Sequence, residues 1–105
     1  MNGKLQLRVT NHAVDRYRQR VEKDMWRELR SEGQIVKILR DGIALSVEPS
    51  DVDGMPSEKP SKVAVNLSCE DEDFGFYEIT LVRRRNKGRR YLSVITVYDW
   101  ENQAV

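Results

Sequence analysis

Apolar and polar residues alternate from Lys4 to Thr10, with Leu5, Leu7 and Val9 on one side and Lys4, Gln6 and Arg8 on the other. This is the period-2 pattern of a half-buried strand. The period then lengthens. Thr10 and Asn11 are both suitable N-caps, and Ala13, Val14, Tyr17 and Val21 recur at helical spacing through residues 12–21. Asp24 can cap a second helix, in which Met25, Leu29, Val36 and Leu39 recur at i, i+4, i+11 and i+14. Gly33 offers a kink and Gly42 a left-handed stop. Residues 43–47 read as a strand, and residues 49–61, with three prolines, Gly54 and mixed acids and serines, as an exposed loop. Val63, Val65 and Leu67 alternate in a further strand over residues 62–67. Residues 69–75 form an acidic connection, and residues 76–85 and 89–100 form a long hairpin around Asn86-Lys87-Gly88.

Successive strand side chains point to opposite faces, so pairing Arg85 with Arg89 sorts the hairpin into two sides. Tyr77, Ile79, Leu81, Tyr91, Ile95 and Val97 form the core side. Glu78, Thr80, Arg84, Arg90, Thr96 and Tyr98 gather on the other, among Val82, Val94 and Trp100, and that mixed polar and aromatic surface suits a ligand better than a core. The predicted fold class is α+β: two N-terminal helices on one face of a four- to five-stranded antiparallel sheet that ends in the hairpin.

A chain of 105 residues is the size of one domain, here residues 1–105 with the loop at 49–61. Charged residues make up 33% of it, against roughly 25% in an average soluble chain, and hydrophobic residues 39%. The surface is therefore unusually ionic without being disordered. No apolar run approaches the roughly 20 residues that cross a bilayer, and Cys69 is the one cysteine. A cytoplasmic, reducing location without membrane contact is expected. The net charge of +1 conceals a division. Residues 1–40 carry 10 Lys/Arg against 5 Asp/Glu, residues 41–80 carry 2 against 10, and residues 81–105 carry 6 against 2. Two basic ends brought together would attract phosphate.

His12, Arg16 and Arg20 stand at i, i+4 and i+8, one stripe of the first helix. The positive end of the helix dipole and the neighbouring Arg16 favour a neutral imidazole at His12, able to take a proton as a general base. Arg16 and Arg20 could hold a phosphodiester and offset the charge that grows on it, with no metal and no cofactor. Arg83, Arg84, Arg85, Lys87, Arg89 and Arg90 crowd the hairpin tip, where side chains of either orientation reach phosphates. Tyr91, Tyr98 and Trp100 could stack on bases or simply pack. The acids Glu70, Asp71, Glu72 and Asp73 lack the alternating spacing of a calcium loop and read as a charged turn.

His12-Ala13-x-x-Arg16-x-x-x-Arg20, a second helix, and a last strand Val94-Ile95-Thr96-Val97-Tyr98 resemble the small uncharacterised proteins grouped with RelE/BrnT-type toxins, of the barnase/EndoU/colicin/RelE fold. The resemblance implies helices on an antiparallel sheet. It also implies a metal-independent endoribonuclease in which the ribose 2′-hydroxyl attacks and a 2′,3′-cyclic phosphate is left. The matched positions His12, Arg16, Arg20 and Tyr98 would carry catalysis, with Arg84, Arg85, Lys87, Arg89, Arg90 and Thr96 on the RNA. An antitoxin or host protein partner and a homo-oligomer are further expectations. The alternative is a phage or mobile-element protein without enzymatic activity, which binds a host defence factor or a nucleotide signal and uses its acidic middle as the working surface.

Overall fold

Thr10 turns the chain from its first strand into its first helix. Its side-chain oxygen accepts from the Ala13 amide at 3.1 Å, capping the helix, while its hydroxyl donates to the Val94 carbonyl at 2.8 Å. One residue thus fixes the helix start against the last strand. The computed structural model describes residues 6–22 and 30–99. The sequence-predicted parts of Lys4, Leu5, Asp24, Met25, Leu29 and Trp100 lie outside them. Within the described residues the order is β1 (Leu7–Val9), α1 (Asn11–Arg20), α2 (Glu32–Ser46), α3 (Pro49–Asp53), β2 (Pro60–Cys69), β3 (Glu72–Asn86) and β4 (Arg89–Asp99).

The four strands form one sheet in the order β1-β4-β3-β2. β2, β3 and β4 make an antiparallel meander, but β1 runs parallel to β4, with Leu7, Arg8 and Val9 opposite Leu92, Ser93 and Val94. The sheet is therefore mixed and not antiparallel throughout. The whole chain between β1 and β4 serves as the long connection a parallel pair requires. Nor are the helices two N-terminal ones: α2 lies mid-chain and α3 follows it.

α2 departs most from the sequence reading. Ser31 caps it reciprocally with Gln34, accepting from the Gln34 amide at 3.2 Å while its own amide donates to the Gln34 side chain at 2.9 Å. Gly33 is consequently in the first turn. The helix passes straight through Gly42 because that position is pressed against β2. A Cβ there would come within 3.0 Å of the Leu67 and Val65 side chains and 3.1 Å of the Asn66 carbonyl. Residues 43–46 continue the helix where a strand was expected, since Ile35, Leu39 and Ile43, at i, i+4 and i+8, are all fully buried. The stretch read as a loop contains α3, whose Val52 is buried, and Pro60 and Ser61 already belong to β2.

Ala13, Val14 and Tyr17 of α1 join the α2 residues over Val65, Leu67, Ile79, Leu81, Leu92, Val94 and Val97 of the sheet. Each such side chain contributes about 1.5–3 kcal/mol on burial. Just past the end of α1 the Glu22 side chain is fully buried and bonded to Arg30 at 3.2 Å. Burial pushes the Tyr17 phenol well above its ordinary value, and the neighbouring Glu22 carboxylate adds to the shift.

Two details of the hairpin decide which side chains face the core. The turn is two residues, Lys87 (φ 52°) and Gly88 (φ 80°), both left-handed, so Arg85 pairs with Arg90 and not with Arg89. A bulge then places Thr80 opposite Thr96 but Leu81 opposite Val94, with Ile95 as the additional residue. On the tip side of the bulge Leu92 and Val94 therefore face the helices, and Tyr91 turns outward. The sequence-based assignment of Tyr91 and Ile95 to the core, and of Arg90 and Val94 to the opposite side, is corrected accordingly.

Candidate nucleic-acid interface

The sheet face turned away from the helices carries Lys62, Ala64 and Asn66 from β2, Phe76, Glu78, Thr80, Val82 and Arg84 from β3, Tyr91, Ser93, Thr96 and Tyr98 from β4, and Arg8 from β1. The pairings Lys62–Thr80, Glu78–Tyr98, Thr80–Thr96, Val82–Ser93 and Arg84–Tyr91 fix this set. Its floor is densely packed, with Thr80, Val82, Ser93 and Thr96 all buried, whereas Phe76 is 57% exposed.

Two arginines from outside the meander lie on this face. The Arg8 guanidinium sits 4.7 Å from the centroid of the Tyr91 ring, and that of Arg20 sits 4.5 Å from Tyr98. Arg20 also donates to the Val97 carbonyl at 2.7 Å. That carbonyl is on the edge of β4 beyond the reach of three-residue β1, so Arg20 closes an otherwise open stretch of strand edge. Among the described residues neither arginine meets a carboxylate.

The helix stripe and the last strand, 78 residues apart from Arg20 to Tyr98, do meet. The contact is made by Arg20. His12 is exposed at the other end of α1, where its Nε2 accepts from Arg16 Nε at 3.3 Å, and Arg16 also donates to the Gln19 side chain at 2.7 Å. The His12 Nε2 is thus engaged by Arg16. Eight residues of helix put His12 about 12 Å along the axis from Arg20.

The basic hairpin tip divides into two groups. Arg83 is structural: its guanidinium donates to the Met55 carbonyl at 2.9 Å and to the Val52 and Asp53 carbonyls at 3.4 Å, holding the end of α3. Arg84 pairs with Glu58 at 3.1 Å and Arg90 with Asp53 at 2.6 Å. Part of the acidic middle therefore neutralises part of the tip. Arg85, Lys87 and Arg89 are exposed and unpaired among the described residues. Nine residues of β4 separate Arg89 from Tyr98, about 30 Å at the rise of a strand, so tip and stripe are opposite ends of one surface and not one pocket. Thr96 is buried at 6% exposure, and its hydroxyl has no hydrogen-bond partner.

The sequence reading did not single out Arg8, Phe76 or Glu78 as binding residues, although alternation had placed Arg8 on the polar side of β1 and Glu78 on the ligand side of β3. Among the described residues no group of three or more His, Cys, Asp or Glu could hold a metal ion. Glu70 and Asp71 form the β2–β3 turn, and Asp73 accepts from the Gly75 amide at 2.8 Å and from Asn66 at 3.2 Å. A separate open groove of about 690 Å³, lined by Leu7, Val36, Lys37, Arg40, Ala44 and Glu48 among others, includes none of these site residues. Among the described residues no helix is long and apolar enough to cross a membrane. Comparison of the chain with models of protein families, with curated proteins and with solved structures finds no match.

Proposed function

We propose that this protein binds single-stranded RNA along the outward surface of β4, from the hairpin tip to Tyr98. The observation that carries the reading is the pair of arginine–tyrosine stacks, Arg8 on Tyr91 and Arg20 on Tyr98, on one face of one strand, with neither guanidinium in an ion pair among the described residues. Cations that hold phosphates, interleaved with rings on which bases stack, are the two components of sequence-tolerant single-strand binding. Arg89 and Lys87 extend the cationic track beyond Tyr91. In a fluorescence anisotropy titration, a labelled RNA dodecamer should lose affinity with salt by about 0.7 in log–log slope per neutralised phosphate. Replacing Arg8, Lys87 and Arg89 together with alanine should flatten that slope by about 2. An unaltered slope and affinity in the triple variant would exclude this surface.

A ribonuclease reading has its own observation: an exposed imidazole, His12, with the Arg16 guanidinium against it at 3.3 Å, and Arg20 stacked on Tyr98 about 12 Å farther along α1. It agrees with the resemblance to RelE/BrnT-type toxins. In this chemistry the 2′-oxygen bonds to phosphorus and the bond to the 5′-oxygen breaks, leaving the cyclic phosphate. His12, once Arg16 leaves its Nε2, takes the 2′-hydroxyl proton, Arg16 holds the phosphoryl oxygens, and water supplies a proton to the departing oxygen, while Arg20 and Tyr98, about 12 Å farther along α1, hold a neighbouring nucleotide. Cleavage should persist in EDTA and vanish in His12→Ala. Binding without any product assigns the surface to RNA binding alone.

A further inference from the structure

We infer that Glu78, with Thr96 beside it, reads the edge of a base that carries an amino group, so that the RNA surface favours cytosine, adenine or guanine over uracil. The inference rests on the RNA-binding reading. It begins from two polar atoms whose hydrogen-bonding capacity is unused. The Glu78 residue is 9% exposed, and its Oε1 is buried with no hydrogen bond. Lys62 Nζ makes a long ion pair with that oxygen at 4.0 Å, beyond hydrogen-bond length. The Thr96 hydroxyl is buried and equally unpartnered. Buried polar atoms are nearly always satisfied, and a carboxylate without donors is among the costlier exceptions.

The two residues are diagonal neighbours. Glu78 is directly opposite Tyr98 and Thr80 directly opposite Thr96, so Glu78 and Thr96 form a diagonal cross-strand pair, with Cα atoms roughly 7–8 Å apart and their side chains on the same face. Aromatic rings flank the pair. Tyr98 has Arg20 against it, and Phe76, two residues before Glu78 on the same face, is among the described residues the one large apolar side chain of this surface that is more than half exposed. A planar ligand stacked on Phe76 would direct its edge at the carboxylate. Lys62, whose Nζ is 4.0 Å from the carboxylate, is a long side chain that is itself 61% exposed and free to swing aside.

The chemistry of the floor then selects the edge. An ionised carboxylate only accepts hydrogen bonds, whereas a threonine hydroxyl can donate or accept. Cytosine N4, adenine N6 and guanine N2 each offer an amine to that acceptor. Uracil presents two carbonyl oxygens around a single N–H, so its edge sets like partial charges against Glu78. Carboxylate recognition of a base amine follows the same pairing rule in grooves and in single strands.

The test is anisotropy of the full chain with labelled hexamers of uridine, cytidine and adenosine at low salt. Cytidine and adenosine hexamers should bind roughly fivefold or more tightly than uridine, the discrimination one base-edge contact supplies. Glu78→Gln, which can donate to a uracil carbonyl, should bring the preference to parity or invert it. Thr96→Val should weaken it without inversion, and thermal melts establish that both variants are folded. Equal affinity of the unaltered protein for all three hexamers, or a preference that survives Glu78→Gln, overturns the inference and leaves RNA binding standing. Failure of every hexamer to bind overturns both.

Discussion

Arg20 offers the sharpest test of how this surface is built. Its guanidinium donates to the Val97 edge carbonyl at 2.7 Å and lies 4.5 Å from the Tyr98 ring, half-buried. A charged hydrogen bond contributes about 1.5–3 kcal/mol when fully buried, and partial exposure brings this to about 1. The stack on tyrosine adds about 0.5–1 kcal/mol. Arg20→Ala should therefore cost about 1.5–2 kcal/mol, a fall in Tm of the order of 6–12 °C for a domain of this size. Arg20→Lys retains a donor but not the planar contact and should cost about half as much. Urea denaturation of Arg20→Ala, Tyr98→Leu and the double variant isolates the stack, with an expected coupling of about 0.5–1 kcal/mol. A coupling indistinguishable from zero, with Arg20→Ala as stable as the parent, would mean that Arg20 is solvated and that α1 is not tied to the last strand through it.

Arg30→Ala should destabilise by about 3 kcal/mol or more in the same denaturation assay, because it leaves the fully buried Glu22 side chain without its bonded counter-charge; a loss below about 1 kcal/mol would contradict that. Since burial raises the Tyr17 phenol, the fold favours its neutral form. Its stabilising effect is complete below the unfolded value near 10 and diminishes above it by about 1.4 kcal/mol per pH unit until the folded value is passed. Tyr17→Phe should remove that component of alkaline destabilisation and, because the buried hydroxyl has no partner, be at least as stable as the parent at neutral pH; a large loss there would reveal a hydrogen bond to that hydroxyl. Gly42→Ala gains about 1 kcal/mol of helix propensity but meets two side chains and a backbone carbonyl at 3.0–3.1 Å, and overpacking costs about 1–3 kcal/mol. Its Tm should fall, and a rise would show that α2 can move away from β2.

Much of the local structure was legible in the chain. The alternation of residues 62–67 and 76–85 marks β2 and β3, the apolar spacing of Ala13, Val14 and Tyr17 marks α1, and Thr10 is the cap its chemistry predicts. The end of α2 was not legible. Gly42 has the composition of a helix stop, and only the close approach of Val65 and Leu67, more than 20 residues later, makes a glycine necessary inside the helix. The site was legible in part: the stripe His12, Arg16, Arg20 and the outward position of Tyr98 follow from periodicity, whereas Arg8 and Glu78 acquire meaning only from their neighbours.

Sequence by itself determined the periods, the caps and the distribution of charge, because these depend on residues within a few positions of one another. Tertiary structure decided the rest. A two-residue turn and one bulge set which β4 side chains face outward, since a single-residue slip transfers a strand's side chains to the opposite face. The meeting of Arg20 with Val97 and Tyr98, and the pairing of Arg84 and Arg90 with Glu58 and Asp53, join residues 26 to 78 positions apart. Such pairs arise from the packing of whole elements, which no local pattern along the chain records.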